Sequence, residues 1–383
     1  MIAWLLGSFV VLMVLGVPIG ISLGLASMGG ILFLDGGSIV TVAQRTFEGM
    51  NSWALLAVPL YTFAGYTMSK GGVSKNLMDF CYSIVGHIYG GLAHVNVFAS
   101  MIFAGISGSA VADTAGVSGM FMPQMVKKGY STELSVAVTG VSSTIGIIIP
   151  PSIPMVVIAG ICGISTGKMF VGGIIPGILI GLMQMILSYF FAKKEGVEKE
   201  PGHFTFGAVG RAFLKSWPAL MMPVIIIGTI TSGIVSPTEA GAIAVAYGLV
   251  VGGLVYRELT FADIKFAFTE TVRISGRIFV VTMFMESIAA LTLFMPIVYP
   301  IAMTAGVDPT VLGVLVTVVI GIGLVTPPVG MCIYVACDLM KIRVGSTMKY
   351  VIPYILGTFV VIAILIAFPQ LITALGTFVG SGA

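Results

Sequence analysis

The sequence predicts an all-α polytopic membrane protein built from two repeated halves, and three observations carry that prediction. Of 383 residues, 57% are apolar and only 9% are charged, with a mean hydropathy of +1.11. Soluble domains devote about 25% of their residues to Asp, Glu, Lys and Arg, so this chain cannot cover a water-facing surface. The apolar stretches exceed the ~20 residues of helix that cross hydrocarbon. Residues 2–34 carry no charge, and residues 129–167 carry only Glu133. Finally, 50 glycines and 18 prolines recur within these runs, as in membrane helices whose breaks face protein or a cavity.

The first element, MIAWLLGSFVVLMVLGVPIG, lacks the basic region and small-residue cleavage site of a signal peptide, so a retained membrane helix is expected there. A net charge of +3 suggests no nucleic-acid partner. Cys81, Cys162, Cys332 and Cys337 have no metal or redox spacing and read as small packing residues. His87, His94 and His203 form no metal pair, and His94 reads as a hydrogen-bonding residue at a helix end.

The densest charge cluster, Lys193 to Pro201 followed by Arg211 and Lys215, divides the chain near its middle. Basic residues favour the cytoplasmic side, which places this linker there. On either side the sequence repeats. An offset of 177 carries Pro123 to Pro300, Gly129 to Gly306, Gly146 to Gly323 and Pro150-Pro151 to Pro327-Pro328. Upstream, Pro18 pairs with Pro237, Gly29 with Gly248 and Thr41 with Thr260, all at 219. The offsets differ by 42, so the second half lacks some 42 residues present in the first, lost near Thr282-Met283. The expected division is a first membrane repeat over 1–192, a charged linker over 193–216 and a second membrane repeat over 217–383. Internal repeats in an apolar chain mark secondary transporters, whose site lies where the repeats meet.

Chemistry concentrates in two constellations. Residues 103–116, FAGISGSAVADTAG, crowd small and hydroxylated side chains around one carboxylate, Asp113. An ionisable group at membrane depth costs several kcal/mol unless compensated and is a functional candidate by default. Gly105, Gly108 and Gly116 let the chain turn, freeing carbonyls that join Ser107 and Ser109 as hard oxygen ligands for an alkali cation. The alternative is a small-residue helix-packing face. Residues 142–154, SSTIGIIIPPSIP, place three prolines where a helix cannot continue. Such breaks expose half-helix ends, carbonyls suiting cations and N-termini suiting anionic groups; a simple proline kink is the alternative.

The second half repeats the pattern with MFMESIAA at 283–290, containing Glu286 and Ser287, and GLVTPPVG at 323–330, containing Thr326. Two broken helices and two polar turns imply two related cation sites around one substrate site. Ser236-Pro237-Thr238-Glu239 has the pattern of a capped helix start. Residues 260–270 form an amphipathic, charged segment that reads as an interfacial arm helix.

The runs GGLAHVNVFASMIFAGISGSAVADTAG (90–116), SSTIGIIIPPSIPM (142–155), SGIVSPTEAGA (232–242), MFMESIAAL (283–291) and GLVTPPVGM (323–331) carry a family resemblance. In order along essentially the whole chain, they resemble the large membrane subunit of TRAP transporters, the tripartite ATP-independent periplasmic systems of bacteria. That resemblance implies an inverted-repeat, elevator-type fold with two re-entrant hairpins and two broken helices in the bacterial inner membrane. It implies sodium-driven uptake of an organic acid such as sialic acid or a C4-dicarboxylate. It further implies two or more transported Na+ ions, a periplasmic substrate-binding protein and a small four-helix membrane subunit, expected here as a separate chain.

Carried over by position, the hairpin tips fall at 105–113 and 285–287, and the broken helices at 143–154 and 323–330. The expected sodium ligands are Ser107, Ser109, Asp113, Thr144, Gly146 and Pro150, with Met285, Thr326 and Pro327 in the second half. Ser109, Ser152, Glu286, Ser287 and Arg277 are the substrate-binding candidates, Arg277 standing in for a carboxylate clamp that the lost stretch could contain. The rival within the same class is a dicarboxylate/sodium elevator symporter needing no binding protein. From other classes come an intramembrane serine protease, because Gly105-Ile-Ser-Gly108 matches a nucleophile pattern, and a purely structural membrane subunit. The protease needs a base beside the serine, and the only later histidine, His203, lies in the charged linker.

Overall fold

Backbone groups in hydrocarbon must bond within their own segment, and the described residues accordingly form helix with no strand. The computed structural model describes residues 19–35, 57–197, 205–232, 234–282, 287–327 and 330–378, together with 4, 7, 8, 11, 12, 17 and 40. The first half comprises α1 (Ile19–Gly30, closing in a π-helical turn at Ile31–Asp35), α2 (Ala57–Lys70), α3 (Val73–Val85) and α4 (Gly91–Ser107). It continues with α5 (Ala110–Lys127), α6 (Thr132–Ser142, ending in a 3-10 turn at Ser143–Ile147), α7 (Ile153–Cys162) and α8 (Thr166–Lys194). The second half has α9 (Phe206–Thr231), α10 (Pro237–Val250, closing in a π-helical turn at Val251–Val255) and α11 (Phe261–Thr282). There follow α12 (Ser287–Thr304), α13 (Pro309–Gly323), α14 (Met331–Met340) and α15 (Val344–Ala367).

Among the described residues, four helices are long and apolar enough to cross a membrane: Thr166–Lys194, Phe206–Ile230, Thr238–Val255 and Val344–Ala367. Their surfaces invert the soluble pattern. Helix α15 buries Tyr354 and Thr358 while Leu356, Phe359, Val360 and Ile366 stand exposed. Aliphatic surface on that scale suits lipid and not water. The chain is a multi-pass membrane protein.

The repeat reappears in the element boundaries. Helices α5 and α12 are displaced by 177 residues at both ends, and α6 and α13 begin 177 apart. Gly129 (φ 91) and Gly306 (φ 76) both turn left-handed before the helix caps Ser131 and Asp308. Upstream, the π-helical turns that close α1 and α10 are displaced by 220. Packing is also reciprocal. Helix α5 packs on α14 as α7 packs on α12, and α6 packs on α15 as α8 packs on α13. Each contact recurs with the halves exchanged, the signature of a two-fold relation. A second group, α2, α3, α9, α10 and α11, packs beside this core and touches it through α4, α5 and α8.

Two sequence expectations change in detail. Lys193 and Lys194 form the last turn of α8, and Arg211 and Lys215 lie within α9, so the link between helices is shorter than 193–216. Long helices keep their backbone bonds beyond the apolar run, which carries those charges on helix. The arm segment is the start of α11, fixed against α2 by Phe63–Phe268 and Tyr66–Phe266 edge contacts and by Lys70 Nζ 4.8 Å above the Phe266 ring. Ser236 and Glu239 form a reciprocal capping box, as expected. Met283 lies outside the described residues, as do residues 284–286.

The α2–α10 crossing requires glycine. A Cβ on Gly71 would lie 2.7 Å from the Gly252 Cα, whereas one on Gly253 meets nothing within 4 Å. Gly71→Ala should cost about 1–3 kcal/mol through backbone displacement, with Gly253→Ala nearly neutral; thermal unfolding in detergent checks the difference.

Candidate functional site

The turn between α4 and α5 exists because Gly108 adopts φ 65, a left-handed conformation open to glycine. Its carbonyl accepts the Ile153 N–H at 3.3 Å, seating the turn on the start of α7. Added side chains would destroy this seat. A Cβ on Gly108 would lie 2.8 Å from the Pro151 carbonyl oxygen. At Gly105 it would lie 2.7 Å from the Pro223 ring of α9 and 3.8 Å from the Pro150 carbonyl oxygen.

The break itself follows from Pro150, Pro151 and Pro154, which remove three donors in five residues. Its loose backbone groups are taken up locally. The Val141 carbonyl accepts from Thr144 Oγ1 at 2.7 Å and from Gln184 Nε2 of α8 at 3.3 Å. Ser152 caps α7, its Oγ accepting the Met155 N–H at 3.3 Å and donating to the Ile147 carbonyl at 2.5 Å. Gly173 gives the Ile148 carbonyl room against α8, because a Cβ there would overlap that oxygen.

Asp113 completes the assembly. It is 3% exposed and lies in the first turn of α5, where the helix dipole favours an anion. Its N–H donates to the Ser109 carbonyl at 3.0 Å. Carboxylate Oδ2 rests where a Gly146 side chain would stand, so only glycine at the break admits it. The Asp113 carboxylate thus lies against Gly146, while the Pro150 and Pro151 carbonyls lie against Gly105 and Gly108 of the turn. Carboxylate and carbonyl oxygens are hard ligands of the kind a cation takes, and the start of α7 presents a positive dipole end.

Of the residues expected here, Asp113 meets Gly146, the Pro150 carbonyl faces Gly105, Ser152 caps α7 at the break, and Ser109 stands half-buried at the turn. Thr144 is buried, its hydroxyl donating to Val141 and its Cβ facing Gly321 of α13. In the second half, the helix breaks after Gly323 and resumes at Met331. Thr326 Oγ1 donates to the Ile322 carbonyl at 2.7 Å, the Gly330 N–H returns to the Thr326 carbonyl at 2.9 Å, and Pro327 is exposed. Met285 and Glu286 lie outside the described residues, as do the side chains of Ser107, Arg277 and Ser287. His94 Nε2 donates to the Tyr89 carbonyl at 3.2 Å, at the helix end expected for it.

Sequence reasoning missed two networks. Asn96 Nδ2 donates to Thr139 Oγ1 at 2.7 Å, and Ser100 Oγ lies 3.0 Å from Ser142 Oγ, joining α4 to α6. Polar residues four apart, Asn96 with Ser100 and Ser135 with Thr139, were the available signal. Glu195 at the end of α8 accepts the Ser131 N–H at 3.0 Å, the Ser131 hydroxyl and the Tyr350 hydroxyl. No sequence spacing links those three positions.

A family model described as the tripartite ATP-independent periplasmic transporter, DctM component, matches residues 6–282 and 277–371. The two stretches meet where the internal offset changes. The sialic acid TRAP transporter permease protein SiaT of Haemophilus influenzae is 32% identical over 410 residues, covering 95% of this chain. The chain spans 66% of that relative's length. The sialic acid TRAP transporter large permease protein SiaM of Vibrio cholerae is 32% identical, covering 93% of each chain. The C4-dicarboxylate TRAP transporter large permease protein DctM of Vibrio cholerae is 33% identical, covering 96% of this chain and 95% of its own. These relatives are transporters and not enzymes.

Gly129→Ala, left-handed with nothing within 4 Å of the new Cβ, should lose about 1–2 kcal/mol from backbone strain alone. Gly108→Ala adds collision with Pro151 and should lose about 2–4 kcal/mol. Unfolding of both variants in detergent measures the difference, and equal losses would mean that the turn is not seated on the break.

Proposed function

This chain belongs to the DctM component family of tripartite ATP-independent periplasmic (TRAP) transporters, and on that premise we propose that it couples sodium entry to uptake of a small organic acid. Sialic acid and C4-dicarboxylates are the leading substrate classes, because the three relatives described above are named for them. A periplasmic binding protein delivers the acid, and a small membrane subunit packs beside the chain in the bacterial inner membrane. The observation that supports this reading best is the seat of the Gly105–Asp113 turn on the Pro150–Ile153 break, with Asp113 against Gly146.

Sodium binds first between that turn and break, to Ser107 and Ser109 hydroxyls and the freed carbonyls of the broken helix. Asp113 supplies the compensating charge. A twin site lies between Met285–Ser287 and the Thr326-Pro327 break. The bound cations offset repulsion between the buried carboxylates and the incoming anion. The acid then bridges the two turns through Ser109, Ser152, Glu286 and Ser287, with Arg277 as its carboxylate partner. Movement of the core repeats against the second helix group carries the loaded site across, as an elevator. Coupling follows because taking an uncompensated anion or empty acidic sites through the membrane costs several kcal/mol. The family chain carries a further segment between Thr282 and Met283 in this reading, which the interrupted family match supports.

The test is uptake of sialic acid and of succinate into proteoliposomes against external sodium, with and without candidate binding proteins. Asp113→Ala and Ser107→Ala should each raise the sodium midpoint at least about tenfold, a loss of about 1.4 kcal/mol, with incorporation unchanged. Wild-type rates and midpoints in both variants would overturn the placement of the cation site. Uptake that ignores the binding protein would favour a two-component symporter.

A further inference from the structure

Helix α4 leads into the polar turn and α6 leads into the break, so their relative register decides whether turn and break meet. The hydrophobic effect adds little to that register, because lipid tails are as apolar as the helices themselves, which leaves side-chain packing and interhelical hydrogen bonds to set it. The hydrogen bonds are the directional part. Asn96, Ser100, Thr139 and Ser142 are each 0% exposed. Asn96 Nδ2 donates to Thr139 Oγ1 at 2.7 Å and reaches Met125 Sδ at 3.6 Å. Ser142 Oγ lies 3.0 Å from Ser100 Oγ and 3.5 Å from Asn96 Oδ1. Thr139 also donates to the Ser135 carbonyl, so its hydroxyl stays bonded whichever neighbour is removed.

The network stands close to both functional ends. Ser142 immediately precedes the 3-10 turn that carries Thr144 and Gly146. Ser100 lies seven residues before the turn residue Ser107, about 10 Å along the helix. Slippage of α4 against α6 by a fraction of a turn would separate Gly108 from Ile153 and Asp113 from Gly146. We propose that Asn96, with Ser100, Thr139 and Ser142, is a positioning element for the cation site, setting sodium affinity through the α4–α6 register without touching the ion. This inference rests on the sodium reading above and names the residues that tune it.

The experiment uses the full chain purified in detergent and follows its melting temperature as NaCl replaces KCl at constant ionic strength. Ion binding to the folded state stabilises it by RT ln(1 + c/Kd) at sodium concentration c. The wild type should show a sodium-specific rise that sets in near Kd and then grows with the logarithm of sodium concentration; the Kd fitted to that rise is the sodium midpoint. Asn96→Leu should move the sodium midpoint upward about threefold to tenfold, the value of one to two hydrogen bonds, while melting stays cooperative. Thr139→Val should move it in the same direction. The double variant should be no worse than Asn96→Leu alone, because the two share one bond. Should Asn96→Leu fail to fold, Ser100→Ala deletes a single hydroxyl and should raise the midpoint about twofold to threefold. Variants that melt lower in potassium yet keep the wild-type sodium midpoint would make the network purely structural and sink the proposal. A wild type stabilised equally by sodium and potassium would instead remove the sodium reading, and the proposal with it.

Discussion

A helix cannot stop inside an apolar interior unless its loose carbonyls and amides find partners, and this architecture depends on how one such buried stop is accommodated. Between Ile147 and Ile153 the chain gives up its helical ladder. The partners come from every side: Thr144 and Gln184 on the Val141 carbonyl, Ser152 on the Ile147 carbonyl, and the Ile153 N–H on the Gly108 carbonyl. The last of these bonds also seats the neighbouring turn. Satisfying the break and seating the polar turn against it are therefore one event. Gly105, Gly108, Gly146 and Gly173 are small because a backbone, ring or carboxylate already occupies the space beside each.

A helix break recurs in the second half, displaced by 177 residues, with bonds of its own. There the Gly330 N–H returns to Thr326 and the Cys332 N–H to Leu324. Because the halves pack reciprocally, Gly321 of α13 lies against Thr144 of the first break. The first break is therefore not built by its own half alone.

At the end of the long helix α8, the charged link between halves is tied to both of them. Glu195 takes the Ser131 N–H and hydroxyl from the first half and the Tyr350 hydroxyl from the second. A carboxylate at the start of α6 also complements the positive end of that helix. Phe191 adds edge contacts to the Tyr350 and Tyr354 rings. The link joins the halves through specific bonds and does more than span the distance between them.

Features that depend on one residue's own backbone chemistry were legible in the sequence. The scarcity of charge excluded a soluble fold, the proline pairs marked both helix breaks, and the capping box at Ser236–Glu239 was readable from four residues. The repeat was legible because it is an identity of spacing. Tertiary structure alone decided which distant groups meet: Asp113 against Gly146, Asn96 with Thr139 across 43 residues, and Glu195 with Tyr350 across 155. Sequence also offered Asp113 as a buried charge without saying what would lie beside it. Local sterics act within a turn of helix, whereas these contacts depend on the packing angle and register of whole helices, to which every side chain along the seam contributes.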